Sequence, residues 1–109
     1  MKRGEVWRVE FDPSIGSEIR KTRPAVIVSN DSANRHLSRV VVVPITSNTT
    51  RHYPGEALVT LADEQLGKAM ADQIMAADKS RLKNKLCFLS KTDMLAVELA
   101  ILVHLGLPK

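Results

Sequence analysis

The chain is poor in cysteine, aromatics, glycine and long apolar runs, and each shortage removes a class of function. A single cysteine, Cys87, among 109 residues leaves no internal disulfide and no thiolate metal cluster. Aromatic residues are 4% of the chain, too few for a base-stacking platform on single strands. Any base recognition would therefore rest on hydrogen bonds from loops. The longest apolar stretch, residues 40–45, is far short of the roughly 20 residues that cross a bilayer as a helix, and no membrane role is expected. Glycine-rich phosphate loops, zinc-ligand spacings and Gly-x-Ser-x-Gly elbows are missing, as are internal repeats and low-complexity tracts. Met1-Lys2-Arg3-Gly4 leads into an amphipathic segment rather than a secretory signal, so the cytoplasm is the expected location.

What remains is an ordinary globular balance, 44% hydrophobic and 26% charged, at a length that suits one domain over residues 1–109. The formal net charge of +4 permits a nucleic-acid partner through phosphate attraction. Arg35-His36 and Arg51-His52 are too sparse to form an RNA-binding tract.

Residues 5–11 alternate, with Trp7, Val9 and Phe11 on one side and Arg8 and Glu10 on the other, the pattern of a half-buried strand. A polar, basic loop follows over residues 12–22. Residues 24–29 and 40–45 are near-continuous apolar runs, which suit central strands covered on both faces. Pro44, late in its run, predicts a bulge or an edge there. Residues 30–36 carry capping side chains and suit one helical turn. Residues 56–61 read as a strand, and residues 62–66 as a turn of helix stopped by Gly67. Residues 68–77 are ambiguous: their Ala, Met and Gln content favours helix, while their alternation allows a strand. Residues 78–82 suit a capped turn and residues 86–89 a short strand. Ser90 and Asp93 have a capping-box-like spacing, after which Met94, Val97, Ile101 and Leu105 recur at helical intervals, with Leu102 widening the stripe and Gly106 as the stop. The sum is a mainly β, α+β chain: a small curved sheet or open barrel with a terminal helix.

Chemistry gathers at the ends of the two apolar runs. Arg23 stands at the mouth of the first, and Thr46-Ser47 lies past the end of the second. If the two strands pair, a guanidinium and a hydroxyl face one small pocket, which suits an anion such as a phosphodiester. His36 and His52 are the acid–base pair a general ribonuclease would use, but both sit in polar loops without a visible fixing partner. Cys87 reads as a small core residue, and the methionines as core or interface filler.

These residues resemble the MazF/PemK (Kid) family of toxin–antitoxin ribonucleases, nearly end to end. The marks are Arg3-Gly4-Glu5-Val6-Trp7, Asp12-Pro13, Gly16-Ser17-Glu18, Arg23-Pro24-Ala25-Val26-Ile27-Val28-Ser29 and Val43-Pro44-Ile45-Thr46-Ser47. Tyr53-Pro54, Ala71-Asp72-Gln73-Ile74 and Asp78-Lys79-Ser80-Arg81-Leu82 complete the series. The resemblance implies a small SH3-like β-barrel, of the kind CcdB toxins share, with short helical turns and a C-terminal helix. It assigns residues 68–77 to a strand. It implies a homodimeric, cofactor-free and metal-independent endoribonuclease that cuts single-stranded RNA selectively, as an mRNA interferase. A cognate MazE/PemI-like antitoxin would neutralise it.

By the same resemblance Arg23 and Thr46 match the family's catalytic arginine and threonine. Glu18 matches an acidic position in part of the family, as base or as orienter of Arg23. Ser17, Arg20, Lys21, Ser47, Asn48, Asp72 and Gln73 are the expected RNA contacts. The chain departs from the pattern in two places. Many members carry an arginine beside the Asp-Gln pair, where this chain has Met70, Met75 and Ala76; Gly55 stands where phenylalanine is frequent. Two rival readings follow: a catalytically inactive RNA- or antitoxin-binding barrel, and a CcdB-like gyrase poison, which would need no phosphate clamp.

Overall fold

The computed structural model describes residues 1–50 and 52–108; Arg51, singled out above with His52, lies outside them. Seven strands and two helices follow in the order β1 (Glu5–Glu10), β2 (Thr22–Ile27), α1 (Asp31–His36), β3 (Arg39–Thr46), β4 (Glu56–Thr60), β5 (Leu66–Met70), β6 (Met75–Asp78), β7 (Leu82–Phe88) and α2 (Lys91–Leu105). The strands form an antiparallel sheet in the order β4-β5-β3-β2-β1-β7, with β6 also paired to β3. The α+β architecture expected from the sequence is the one observed.

β3 belongs to both halves of the sheet. Arg39 to Val42 pair with β6, whereas Ile45 and Thr46 pair with β5. Pro44 falls in the gap between those partners and pairs in register only with β2, opposite Ala25. Its missing N–H costs no ladder bond there. The edge foreseen at Pro44 is thus a local one, inside a strand whose other flank is paired.

Two cores explain why β2 and β3 lack alternation. Val26, Val43 and Ile45 pack with Val6 and with Met94, Val97 and Ala100 of α2. Ala25, Ile27, Val40 and Val42 turn to the opposite face, against Val9, Phe11 and Leu82. A strand buried on both faces has no polar side to show.

Two sequence expectations need correction. Residues 68–77 are neither a helix nor one strand. They span the end of β5, a 3-10 turn over Ala71–Gln73 and the start of β6. Gly67 does not stop a helix. It lies inside β5 after a 3-10 turn over Ala62–Glu64, and a Cβ built on it would stand 2.6 Å from Ile45 Cγ2. Close strand crossing, rather than capping, demands glycine here.

α2 is capped as its sequence reads. The Ser90 hydroxyl accepts from the Asp93 amide (3.1 Å), and Gly106 adopts a left-handed φ of 67°. The Asp93 carboxylate does not return to Ser90; it accepts from the Thr60 amide (2.8 Å) and ties the helix to β4. The inward stripe runs through Met94, Val97 and Ala100, while Leu105, expected to extend it, is half exposed. No helix is long and apolar enough to cross a membrane among the described residues.

Candidate active site

The β2–β3 register runs Ile27–Val42, Val26–Val43, Ala25–Pro44. Continued two residues, it sets Arg23 opposite Thr46. Both residues, with Ser47, line one cavity of about 210 Å³ at the end of the sheet. Arg8 of β1 and Gln65 of the β4–β5 turn complete its polar lining. Among the described residues no carboxylate lines it.

Local bonds leave the two central groups their useful donors. The Arg23 Nε donates to the Arg20 carbonyl (3.3 Å), which anchors the guanidinium at one edge and leaves its terminal amino groups for a forked contact. The Thr46 hydroxyl oxygen accepts from the Asn48 amide (3.2 Å). One of its two lone pairs is thereby used and its proton is free to donate. Asn48 itself faces the other way: its side-chain oxygen accepts from the Thr50 amide and hydroxyl (3.2 and 2.7 Å). Beneath this loop a buried ion pair joins Lys68 Nζ to Glu56 Oε2 (3.3 Å). Lys68 is the strand partner of Thr46, and the second Glu56 oxygen accepts from the Tyr53 amide (2.9 Å). The loop after Thr46 is fastened at its far end.

The remaining expected site residues gather elsewhere. Ser17, Glu18, Asp72 and Gln73 line a second cavity of about 480 Å³ under the β1–β2 loop, with Arg81 on its wall. The Glu18 carboxylate accepts from the Ile15 amide (2.7 Å). Gln73 bridges the loop, accepting from the Ile19 amide (3.3 Å) and donating to the Ser17 carbonyl (3.4 Å). Arg81 donates to the Glu10 and Asp12 carbonyls (3.0 and 2.9 Å) at the loop's base. Lys21 closes the loop: its φ is +64° and its carbonyl accepts from the Phe11 amide (2.8 Å). Arg20 donates to the Gly16 carbonyl (3.0 Å). Within one chain, then, Arg23, Thr46 and Ser47 share a cavity, and Glu18, Asp72 and Gln73 share a different one.

The two histidines do not form a pair. His36 Nδ1 lies 2.8 Å from the Ser32 carbonyl and His52 Nε2 3.0 Å from the Glu56 carbonyl, each within its own segment. Sequence reasoning missed Arg8. Alternation marked it as the outward side of β1, and only the pairing with β2 brings it to the rim of the first cavity.

Three carboxylates outside both cavities titrate low. Burial pushes the Glu5 carboxyl up, but hydrogen bonds from the Trp7 indole and the Lys2 amide, with the N-terminal ammonium and Lys85, outweigh it and hold it below its ordinary 4.5. The Arg3 amide holds Asp31 low, and the Ser80 hydroxyl and amide do the same for Asp78.

Residues 2–105 match the model of the PemK-like, MazF-like toxins of type II toxin–antitoxin systems. The chain is 38% identical to endoribonuclease MazF9 of Mycobacterium tuberculosis over 115 positions, covering 98% of each protein. It is 35% identical to endoribonuclease MazF of Staphylococcus epidermidis, covering 98% of this chain and 92% of that one. The solved structure of a mycobacterial endoribonuclease in complex with its cognate antitoxin superposes with a TM-score of 0.84 at 30% identity, over 100% of this chain and 98% of that one. Matches that span both chains almost completely, in sequence and in fold, mean that this chain belongs to the PemK-like, MazF-like family of type II toxins.

Proposed function

We propose that the chain is a sequence-selective, metal-independent endoribonuclease that cleaves single-stranded RNA at the Arg23–Thr46 cavity. One observation carries the reading: a guanidinium and a hydroxyl with free donors share a small cavity that, among the described residues, no carboxylate lines, as an anion requires. The neighbouring 2′-oxygen attacks phosphorus and gives up its proton. The bond to the 5′-oxygen breaks and that oxygen takes a proton, leaving a 2′,3′-cyclic phosphate and a 5′-hydroxyl.

Arg23 holds two non-bridging oxygens as their charge grows, and Thr46 donates to the same group and fixes its place. A guanidinium with a pKa above ~12 stabilises charge far better than it moves protons at neutral pH. Ser47 assists at the rim. Glu18, through the Ile15 amide, and Gln73, through Ile19 and Ser17, hold the β1–β2 loop on which Arg20 and Lys21 attract the strand. Asp72 stands beside Gln73 where a base can meet it.

The toxin acts in the cytoplasm as a homodimer, and a cognate antitoxin with an acidic tail neutralises it. Incubating purified protein with total RNA in EDTA and mapping 5′-hydroxyl ends tests the reading. Discrete cuts that vanish in Arg23→Ala are expected. Uncut RNA from the wild type overturns it, and growth arrest with intact RNA would point to gyrase instead.

A further inference from the structure

We infer that Arg8 is a second phosphate-binding residue, which grips the RNA backbone at the phosphate next to the scissile one. The inference rests on the ribonuclease reading above. Arg8 and Arg23 line the same cavity, whose other polar side chains are the neutral Thr46, Ser47 and Gln65. Two positive charges therefore stand there, and among the described residues no carboxylate lines the cavity to offset them. Arg8 is exposed, and among the described residues no hydrogen bond or ion pair engages its guanidinium. Two exposed lysines of the neighbouring strand β7, by contrast, are paired: Lys83 faces Glu10 at 3.5 Å and Lys85 faces Glu5 at 3.8 Å. An arginine left unpaired beside another arginine is a site prepared for an anion.

The register decides which anion. Arg8 stands opposite Pro24, and Arg23 stands opposite Val9. Partners across a ladder share a face, so the two arginines leave the sheet from opposite faces and meet only at its rim. Two forks that approach from opposite sides do not suit one phosphate. They suit consecutive phosphates of a single strand that crosses the sheet end. Arg23, beside Thr46, takes the linkage that breaks, and Arg8 takes its neighbour.

A phosphate contact away from the reacting bond stabilises ground state and transition state alike, so it governs KM more than kcat. The probe is a short mixed-sequence RNA with 2′-O-methyl groups at every ribose, which keeps the phosphates and resists cleavage. Its affinity is read by fluorescence anisotropy against salt, beside cleavage kinetics on unmodified RNA. Arg8→Ala is expected to weaken binding and raise KM about tenfold, with kcat within about threefold. The slope of log affinity against log salt should shrink by about 0.7, the loss of one single-strand phosphate contact. Arg8→Lys should restore the slope. Unchanged affinity and slope in Arg8→Ala, or a loss confined to kcat, overturns the inference. If the wild type cleaves and Arg23→Ala does not, such a failure belongs to Arg8 alone. If the wild type neither cuts RNA nor binds the probe, both readings fall together.

Discussion

The two cavities differ in what their polar atoms are committed to. In the smaller one the anchoring bonds use one edge of Arg23 and one lone pair of Thr46, and the donors that matter stay open. In the larger one the comparable groups are spent on the protein: Glu18 on Ile15, Gln73 on Ile19 and Ser17, Arg81 on two carbonyls. The larger cavity is the more acidic, yet its side chains already hold the backbone. On the proposed reading the first cavity meets the charge of RNA, while the second holds the loop in place.

The sharpest break in this contrast is Arg23→Ala. Cleavage should fall by ~10²–10³, as on losing one donor to a developing oxyanion, with little change in melting temperature because Arg23 is exposed; single-turnover assays and calorimetry measure the two. Next comes Gly67→Ala, which lines the first cavity and drives a methyl into buried Ile45. A loss of about 1–3 kcal/mol is expected from urea unfolding; an unchanged midpoint would mean the strand crossing relaxes freely. Gln73→Ala removes two loop bonds, at about 1 kcal/mol, and should speed amide exchange at Ile19 with cleavage reduced less than tenfold. Glu18→Gln should cost less than tenfold as well. A hundredfold loss there would erase the contrast and return Glu18 to the reacting centre. The smallest effect concerns acid. Glu5, Asp31 and Asp78 have depressed folded-state values, so their contribution is present above their ordinary 4.5 and 3.8 and is lost as pH falls through the lower folded values. Melting temperature should decline below about pH 4.5, and Glu5→Gln should flatten that decline.

Much of this was legible from local pattern. The caps at Asn30 and Ser90 and the stop at Gly106 act within a few residues, and each is found where its side chain announces it. The doubly buried runs of β2 and β3 announce themselves too, since a strand without a polar face has nowhere to be but the middle. What escaped was set by pairing across the chain. Residues 66–78 break into two strands because β3 offers them two separate docking stretches, and nothing in their own composition records that. Gly67 is glycine for the sake of Ile45, more than twenty positions away. The site split for the same reason. Arg23 and Thr46 could be joined by supposing that their strands pair, whereas the separation of Glu18 from Arg23 depends on how the loop between them folds back under Gln73.

Pro44 has an outcome beyond its own strand. Because the imino acid offers no proton sideways, the returning chain cannot zip along that flank without interruption; it steps outward there as the Ala71–Gln73 turn before rejoining at Met75. That detour stations Asp72 and Gln73 on the wall of the larger cavity. A residue with an ordinary amide in its place would invite the seam to close and draw that wall into the sheet.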